Sequence, residues 1–493
     1  MSIKSITKVA LLLVGIIVVV AFGKKNDTKV SRATGWKYND ISGTGFTVKS
    51  GFKTMVPNGM VSIEGGSYTI GEKGEFVTAE RESRKRRITV SSFFMDQYEI
   101  RNVDWREYNN WMTVVFGKVS PDLVIKSEPN VQTWREELAY NEPYLQNYFS
   151  HPAFDQYPVV GITWEQAMDY CTWRTDRVNE MALINAGIIE APDFSKIANL
   201  SYDSIRTNFV FNTQKYLLQN DYQPKSGKNI KKDLAGNVRK VDMSDGVLFS
   251  NFRLPTEAEW EFAAYAIRAD KDGFVTEGKI YPWSGSQMRN PDKSDRGRMQ
   301  ANFVRGRGDL MGTSGSLNDN ATITAPVDTY FPNDFGLYNM AGNVNEWVLD
   351  VYRQSSFDDV AEYNSFRGNV YLSPKPTGKD AFGRNIYAID PMGRILNDSI
   401  LDVRDYKDGD AQSKINFSLN TTVNVVDTFD ITDVLRPVVS NKTRIYKGGS
   451  WKDRVYWLNP STRRYMEQDK SANDIGFRCA MSMIGNIEQI NKK

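Results

Sequence analysis

Two cysteines, Cys171 and Cys479, and one histidine, His151, are the whole of the thiol and imidazole chemistry in 493 residues. A single imidazole cannot build a multi-histidine metal centre. The loop around His151-Pro152 offers no context for a serine–histidine triad, so His151 reads as structural. The two cysteines leave two readings open. An even count in an exported chain invites a disulfide, and the alternative is two buried free thiols. The patch Asp405-Tyr-Lys-Asp-Gly-Asp410 is rich in acid but lacks the spacing and closing glutamate of a calcium loop. Hard oxygen donors in a glycine-rich turn also occur in Asn339-Met-Ala-Gly-Asn-Val-Asn-Glu346. There the side chains suit either a calcium ion or internal hydrogen bonds.

Helices and strands must position these groups. The stretch Phe252-Arg-Leu-Pro-Thr-Glu-Ala-Glu-Trp-Glu-Phe-Ala-Ala264 predicts an extended approach and a capped helix. Thr256 caps, Glu259 reaches back to the cap, and Glu257 adds negative charge where the helix dipole favours it. Thr163 predicts a second capped helix from Trp164 to about Ala182, with Gln166 in the same role. A helix is expected near Val103–Phe116 and a helical piece around Gln132–Tyr140. Met60–Gly71, turning at Gly65-Gly66, reads as two strands, and Ile88–Met95, Val159–Thr163 and Thr324–Tyr330 as one each.

Two long stretches, about 184–251 and 352–442, interrupt this core. They carry aromatics such as Tyr202, Phe211, Tyr216, Tyr222, Phe357, Tyr363 and Tyr387, more than a disordered linker normally holds. Long connections of this kind are usually functional, and both read as working surfaces. Within the first, Lys225-Ser-Gly-Lys-Asn-Ile-Lys-Lys-Asp233 reads as a solvated loop or a docking surface.

At the N-terminus, Lys4 and Lys8 precede an apolar run from Val9 to Phe22. The run is short for a membrane span and suits a secretory signal over residues 1–23, an uncleaved anchor being the other reading. No cysteine follows it to take a diacylglyceryl group. Residues 24–56 read as a tether and 57–483 as one domain with the two insertions. A net charge of +2 gives no general argument for nucleic acid or an anionic membrane as partner.

Five motifs stand in order: Gly161-Ile-Thr-Trp-Glu-Gln-Ala-Met-Asp-Tyr-Cys-Thr-Trp173, the Phe252 stretch, Gly336-Leu-Tyr-Asn-Met-Ala-Gly-Asn-Val-Asn-Glu-Trp347, Lys447-Gly-Gly-Ser-Trp451 and Gly476-Phe-Arg-Cys479. Together they resemble the formylglycine-generating enzyme (sulfatase-modifying factor) family from about Pro57 to Met481. The resemblance implies an α+β, loop-rich fold related to C-type lectins, with two long insertions. It implies that Cys171 and Cys479 pair. It also implies a calcium ion held by side-chain oxygens of Asn339 and Glu346 and backbone carbonyls of Gly342 and Val344. A second calcium position would involve Asn302 and Asp319.

Enzymes of this family oxidise a substrate cysteine with two active-site cysteines that bind copper(I), a soft ion that prefers thiolates. Counting back from Cys479 puts those thiols at Pro460 and Val455, and Lys452–Tyr465 contains no cysteine. No copper and no catalytic residue are therefore expected. Relatives that hydroxylate with iron need histidine ligation, which one histidine does not supply.

Within the family, Ser31-Arg-Ala-Thr-Gly-Trp36, Trp173-Arg-Thr-Asp-Arg-Val-Asn-Glu180, Gly306-Arg-Gly-Asp309 and Glu346-Trp-Val-Leu-Asp-Val-Tyr-Arg353 are similar to gliding-motility lipoproteins of Bacteroidetes. That similarity implies an exported protein at the periplasmic face of the outer membrane. Its partners would be other envelope proteins of the gliding and type IX secretion machinery, with no nucleic acid. A calcium-dependent binding module and an active formylglycine-type oxidase are the alternative classes.

Overall fold

The computed structural model describes residues 30–42, 46–49, 54–71, 84–219, 225–266, 279–304, 321–353, 362–363, 365–368, 371–380, 383–399 and 441–485. The apolar run, Tyr222, Gly306–Asp309, Asp319, Phe357 and Asp405–Asp410 lie outside these residues.

The chain enters the domain through β1 (Met60–Ile63) and β2 (Gly66–Ile70), which turn where expected. The Ile88–Met95 run is not one strand but two, β3 (Arg86–Val90) and β4 (Phe93–Asp96). Gly65 explains the break at Ser91-Ser92. Its N–H donates to Ser92 Oγ at 3.0 Å, and a Cβ there would stand 2.3 Å from the Val90 carbonyl. The chain thus changes sheets, β3 pairing with β2 and β4 with β1.

Helix α1 (Asn102–Phe116) follows, then α2 (Trp164–Asn185), opened by the expected Thr163–Gln166 capping box. Between them the Gln132–Tyr140 piece is only a tight turn at Val131–Trp134, with a short helix at Glu142–Asn147. Leu138, fully exposed at φ +59°, interrupts it. Val159–Thr163 is buried but is not a strand, since Gly161 at φ +75° turns the chain. Thr324–Tyr330 is likewise turns, the Thr329 N–H donating to the Pro326 carbonyl at 3.1 Å.

The Phe252 stretch forms β5 (Phe252–Arg253) and α3 (Glu257–Tyr265), with the Thr256–Glu259 capping box in place. Every residue of α3 is buried. Its three glutamates are tolerated because each meets a cation: Glu257 takes Arg463 and Lys447, Glu259 takes Arg253, and Glu261 takes Lys447. Strand β6 (Asn345–Val351) leads to the second insertion, whose described part holds β7 (Leu372–Pro374), β8 (Pro376–Lys379), β9 (Asn385–Tyr387) and β10 (Asn397–Ser399). The chain closes with β11 (Thr443–Lys447), β12 (Arg464–Glu467), β13 (Ile475–Gly476) and β14 (Ala480–Ser482).

Two four-stranded sheets result, β1-β4-β14-β5 and β12-β11-β6-β13. Consecutive strands β13 and β14 belong to different sheets, so Phe477, Arg478 and Cys479 cross between them. Trp105, Tyr170, Trp347 and Phe477 fill the core that α1 and α2 cover, and Trp260 and Phe262 of α3 anchor a second one.

The described parts of both insertions are ordered against the core and each other. The first has a small core of its own around Phe211, Tyr216 and Val241. In the second, Arg394 donates to Asp169 of α2 at 2.6 Å and to Asp390 at 2.7 Å. The Tyr202 hydroxyl of the first insertion donates to the Pro391 carbonyl at 2.8 Å.

Candidate functional site

The loop before β6 is built from residues that tolerate left-handed backbone. Gly336, Asn339, Gly342 and Asn343 all have positive φ, from +54° to +82°. A Cβ on Gly342 would meet the Asn302 carbonyl at 2.4 Å, so this position needs glycine. The folded loop aims two asparagine amides at one carboxylate, Glu99. Asn339 Nδ2 donates to Glu99 Oε2 at 2.8 Å and Asn343 Nδ2 donates to the same oxygen at 3.0 Å. Asn339 Oδ1 is buried without a hydrogen-bond partner. Turning that amide over would only set its oxygen against the carboxylate.

Glu346 is bound differently. Arg478 grips it from Nε at 2.7 Å and Nη2 at 2.6 Å, and Trp260 Nε1 donates to Oε2 at 2.8 Å. The same guanidinium donates to the Asp96 and Tyr338 carbonyls, at 3.2 and 2.8 Å. Two buried carboxylates, Glu99 and Glu346, thus share one buried cation. Burial, then the charge of Glu346, pushes the Glu99 carboxyl up to about 8. Arg478 and the two amides only partly offset this.

Of the four residues assigned to calcium, Asn339 turns its side chain to Glu99 and Glu346 turns its own to Arg478 and Trp260, with Gly342 and Val344 in the connecting loop. Asn339 Oδ1 is a hard oxygen donor left over in this pocket, whereas both Glu346 oxygens already accept from Arg478 and Trp260 and no cluster of three His, Cys, Asp or Glu side chains stands ready for a metal among the described residues. Glu99 is the member that sequence reasoning missed. Its only signal is an acid between apolar neighbours in Tyr98-Glu-Ile-Arg101. Asn302 is buried too, donating to the Ile323 carbonyl at 2.7 Å.

The cysteines meet. Cys171 on α2 and Cys479 before β14 place their sulfurs 3.5 Å apart, both buried and both thiols here. Burial pushes the Cys479 thiol well up, which disfavours its thiolate. Protein isolated from an oxidising compartment is expected to show a Cys171–Cys479 cross-link in non-reducing peptide maps. Both thiols recovered free would rule the bond out.

The positions expected for redox thiols hold other chemistry. Val455 opens a short helical turn, Val455–Leu458, and Pro460 is buried behind it. Val455 lines an open cleft of about 560 Å³ with Met288, Met299, Phe303 and Arg454. Beside it Asp453 accepts from Arg464 at 2.7 Å and from Ser450 Oγ at 2.6 Å. Trp451 stacks on Trp134 at 6.0 Å between centroids. These residues can bind and orient, and none of them is a thiol.

Residues 46–395 match the sulfatase-modifying factor enzyme 1-like domain. The chain belongs to this family. Its members include enzymes and proteins described as inactive. Mouse formylglycine-generating enzyme is 25% identical over 304 residues, 61% of this chain and 60% of its own length. The bovine protein named inactive C-alpha-formylglycine-generating enzyme 2 is 24% identical over 316 residues, 61% of this chain and 73% of its own. Among solved structures, PvdO from Pseudomonas aeruginosa aligns over 86% of this chain and 94% of its own at 14% identity and a TM-score of 0.40. The chain therefore spans about 60% of the mouse enzyme's length. The α+β reading of the fold agrees with the family, and both capped helices of the motifs stand where expected.

Proposed function

We propose that this family member is a non-catalytic component of the cell envelope that works by assembly. In this reading it is a GldJ-type protein of the gliding and type IX secretion machinery at the periplasmic face of the outer membrane. The related ring component GldK is the neighbouring role. One observation carries the loss of catalysis: Lys452–Tyr465 holds no cysteine, with Val455 and Pro460 where thiols would be needed. A missing sulfur cannot be replaced by tuning its surroundings. Relatives described as inactive give the family a precedent. The insertions then supply the working surface, because their described parts pack against the core and they carry the aromatics that interfaces use. Replacing residues 371–440 with a short glycine–serine linker should leave a folded core, read by circular dichroism and melting. In cells it should abolish motility or secretion and the recovery of envelope partners. Full function from a folded deletion would overturn the assembly role.

A second reading, calcium-dependent binding, is favoured by the orphaned Asn339 oxygen beside Glu99. Asn339, Glu99 and Glu346, with the Gly342 and Val344 carbonyls, would hold the ion. Binding to the folded state alone raises stability by mass action. Calcium should therefore raise the melting midpoint of the parent chain and not that of Asn339→Leu. Equal midpoints with and without calcium would reject the site.

A further inference from the structure

Large apolar side chains project from the N-terminal arm. Trp36 and Ile41 are 57% and 63% exposed, near Phe46, which packs edge-on to Tyr38 at 5.9 Å between centroids. The arm does not hang free. Lys49 pairs with Asp242 at 3.0 Å and with Asp245 at 2.9 Å, which roots it on the first insertion. Asp245 also holds Arg239, at 2.7 Å. Arg239 closes the base of a small hairpin, its N–H donating to the Lys231 carbonyl at 3.0 Å, and Asp233 N–H donates to Asn237 O at 2.9 Å nearer the tip. This is the basic stretch singled out from the sequence. Lys228, Lys231 and Lys232 are exposed there and form no ion pair among the described residues, and Val238 beside them is 67% exposed. The arm and the hairpin thus share one anchoring carboxylate.

We propose that the arm and the hairpin form one surface that seats on a bilayer with anionic headgroups. Trp36, Ile41 and Val238 enter the interface, and the three lysines face the headgroups. Tryptophan prefers that boundary because its ring is apolar and its N–H polar. Each lysine near an anionic surface adds about 1 kcal/mol. The chain is nearly neutral overall, at +2, so the attraction is local to this surface. Lipid fits better than protein because the apolar groups are single side chains on turns, not a contiguous patch that packs as an interface core.

The proposal rests on the envelope placement above, and vesicle binding tests it apart from any motility phenotype. The full chain is labelled with an environment-sensitive fluorophore at Ile41→Cys, at Val238→Cys or, as a control, at the exposed Leu138→Cys. With vesicles rich in phosphatidylglycerol, the labels at 41 and 238 should brighten several-fold and shift to the blue, and the label at 138 should not. High salt, or the triple change Lys228→Gln, Lys231→Gln and Lys232→Gln, should remove most of the response at 238. Anchoring through the apolar run alone would leave all three labels unchanged and overturn the proposal. An equal response on purely zwitterionic vesicles would overturn the role of the lysines.

Discussion

Arg478→Met is expected to destabilise the fold by about 3–5 kcal/mol, the usual cost of removing one partner of a buried ion pair. Arg478 and Glu346 are both essentially unexposed, with 2.6 Å between Nη2 and Oε1. Without the guanidinium, Glu346 stays buried beside Glu99, whose carboxyl already sits at about 8 with Arg478 present. The loss reaches further, because Arg478 also donates to carbonyls of Asp96, Gln97 and Tyr338. It thereby ties β4, the loop before β6 and the crossing between the two sheets. Urea unfolding checks the size. The double change Arg478→Met with Glu346→Met should recover part of the loss, since no buried charge then lacks a partner. A single variant as stable as the parent would show that the pair is dispensable.

Lys447→Met should have a comparable effect with a distinctive pH dependence. The ammonium is fully buried, 2.9 Å from Glu261 and 3.2 Å from Glu257. Glu257 keeps Arg463 at 2.7 Å, whereas among the described residues Glu261 keeps the Gly71 N–H at 2.9 Å and no second cation. Burial already raises the Glu261 carboxyl above its ordinary value with Lys447 in place, and removing the cation raises it further. A carboxyl raised in the folded state holds a proton that the unfolded chain has lost. Its contribution is intact below the unfolded value and disappears as pH rises through the folded one. Above the raised value of the parent and below the still higher one of the variant, only the variant keeps losing stability, so the gap between them should widen with pH in that window, by at most about 1.4 kcal/mol per pH unit. A gap that stays constant with pH would mean Glu261 does not titrate in the variant.

The parts of the fold that were legible are local ones. The capping boxes at Thr163–Gln166 and Thr256–Glu259 need only neighbours in sequence, and both formed. Val159–Thr163 and Thr324–Tyr330 look like strands by composition. A strand also needs a partner, and Gly161 and Pro326 turn those segments instead. The three glutamates of α3 are buried because Arg253, Lys447 and Arg463 reach them from elsewhere in the chain, and nothing in the local sequence names those partners. Glu99 stayed unseen for the same reason. Its partners Asn339 and Asn343 come from a loop more than two hundred residues downstream. The absence of cysteine from Lys452–Tyr465, by contrast, is plain in the sequence, and the family resemblance is what gives it meaning.

The most direct measurement is mass spectrometry of a sulfatase-motif peptide after incubation with the purified chain, copper(I) and oxygen. The account predicts an unmodified cysteine at the level of the protein-free control, alongside an active formylglycine-generating enzyme that converts the same peptide. Formylglycine formed above that background, dependent on the chain, would contradict it.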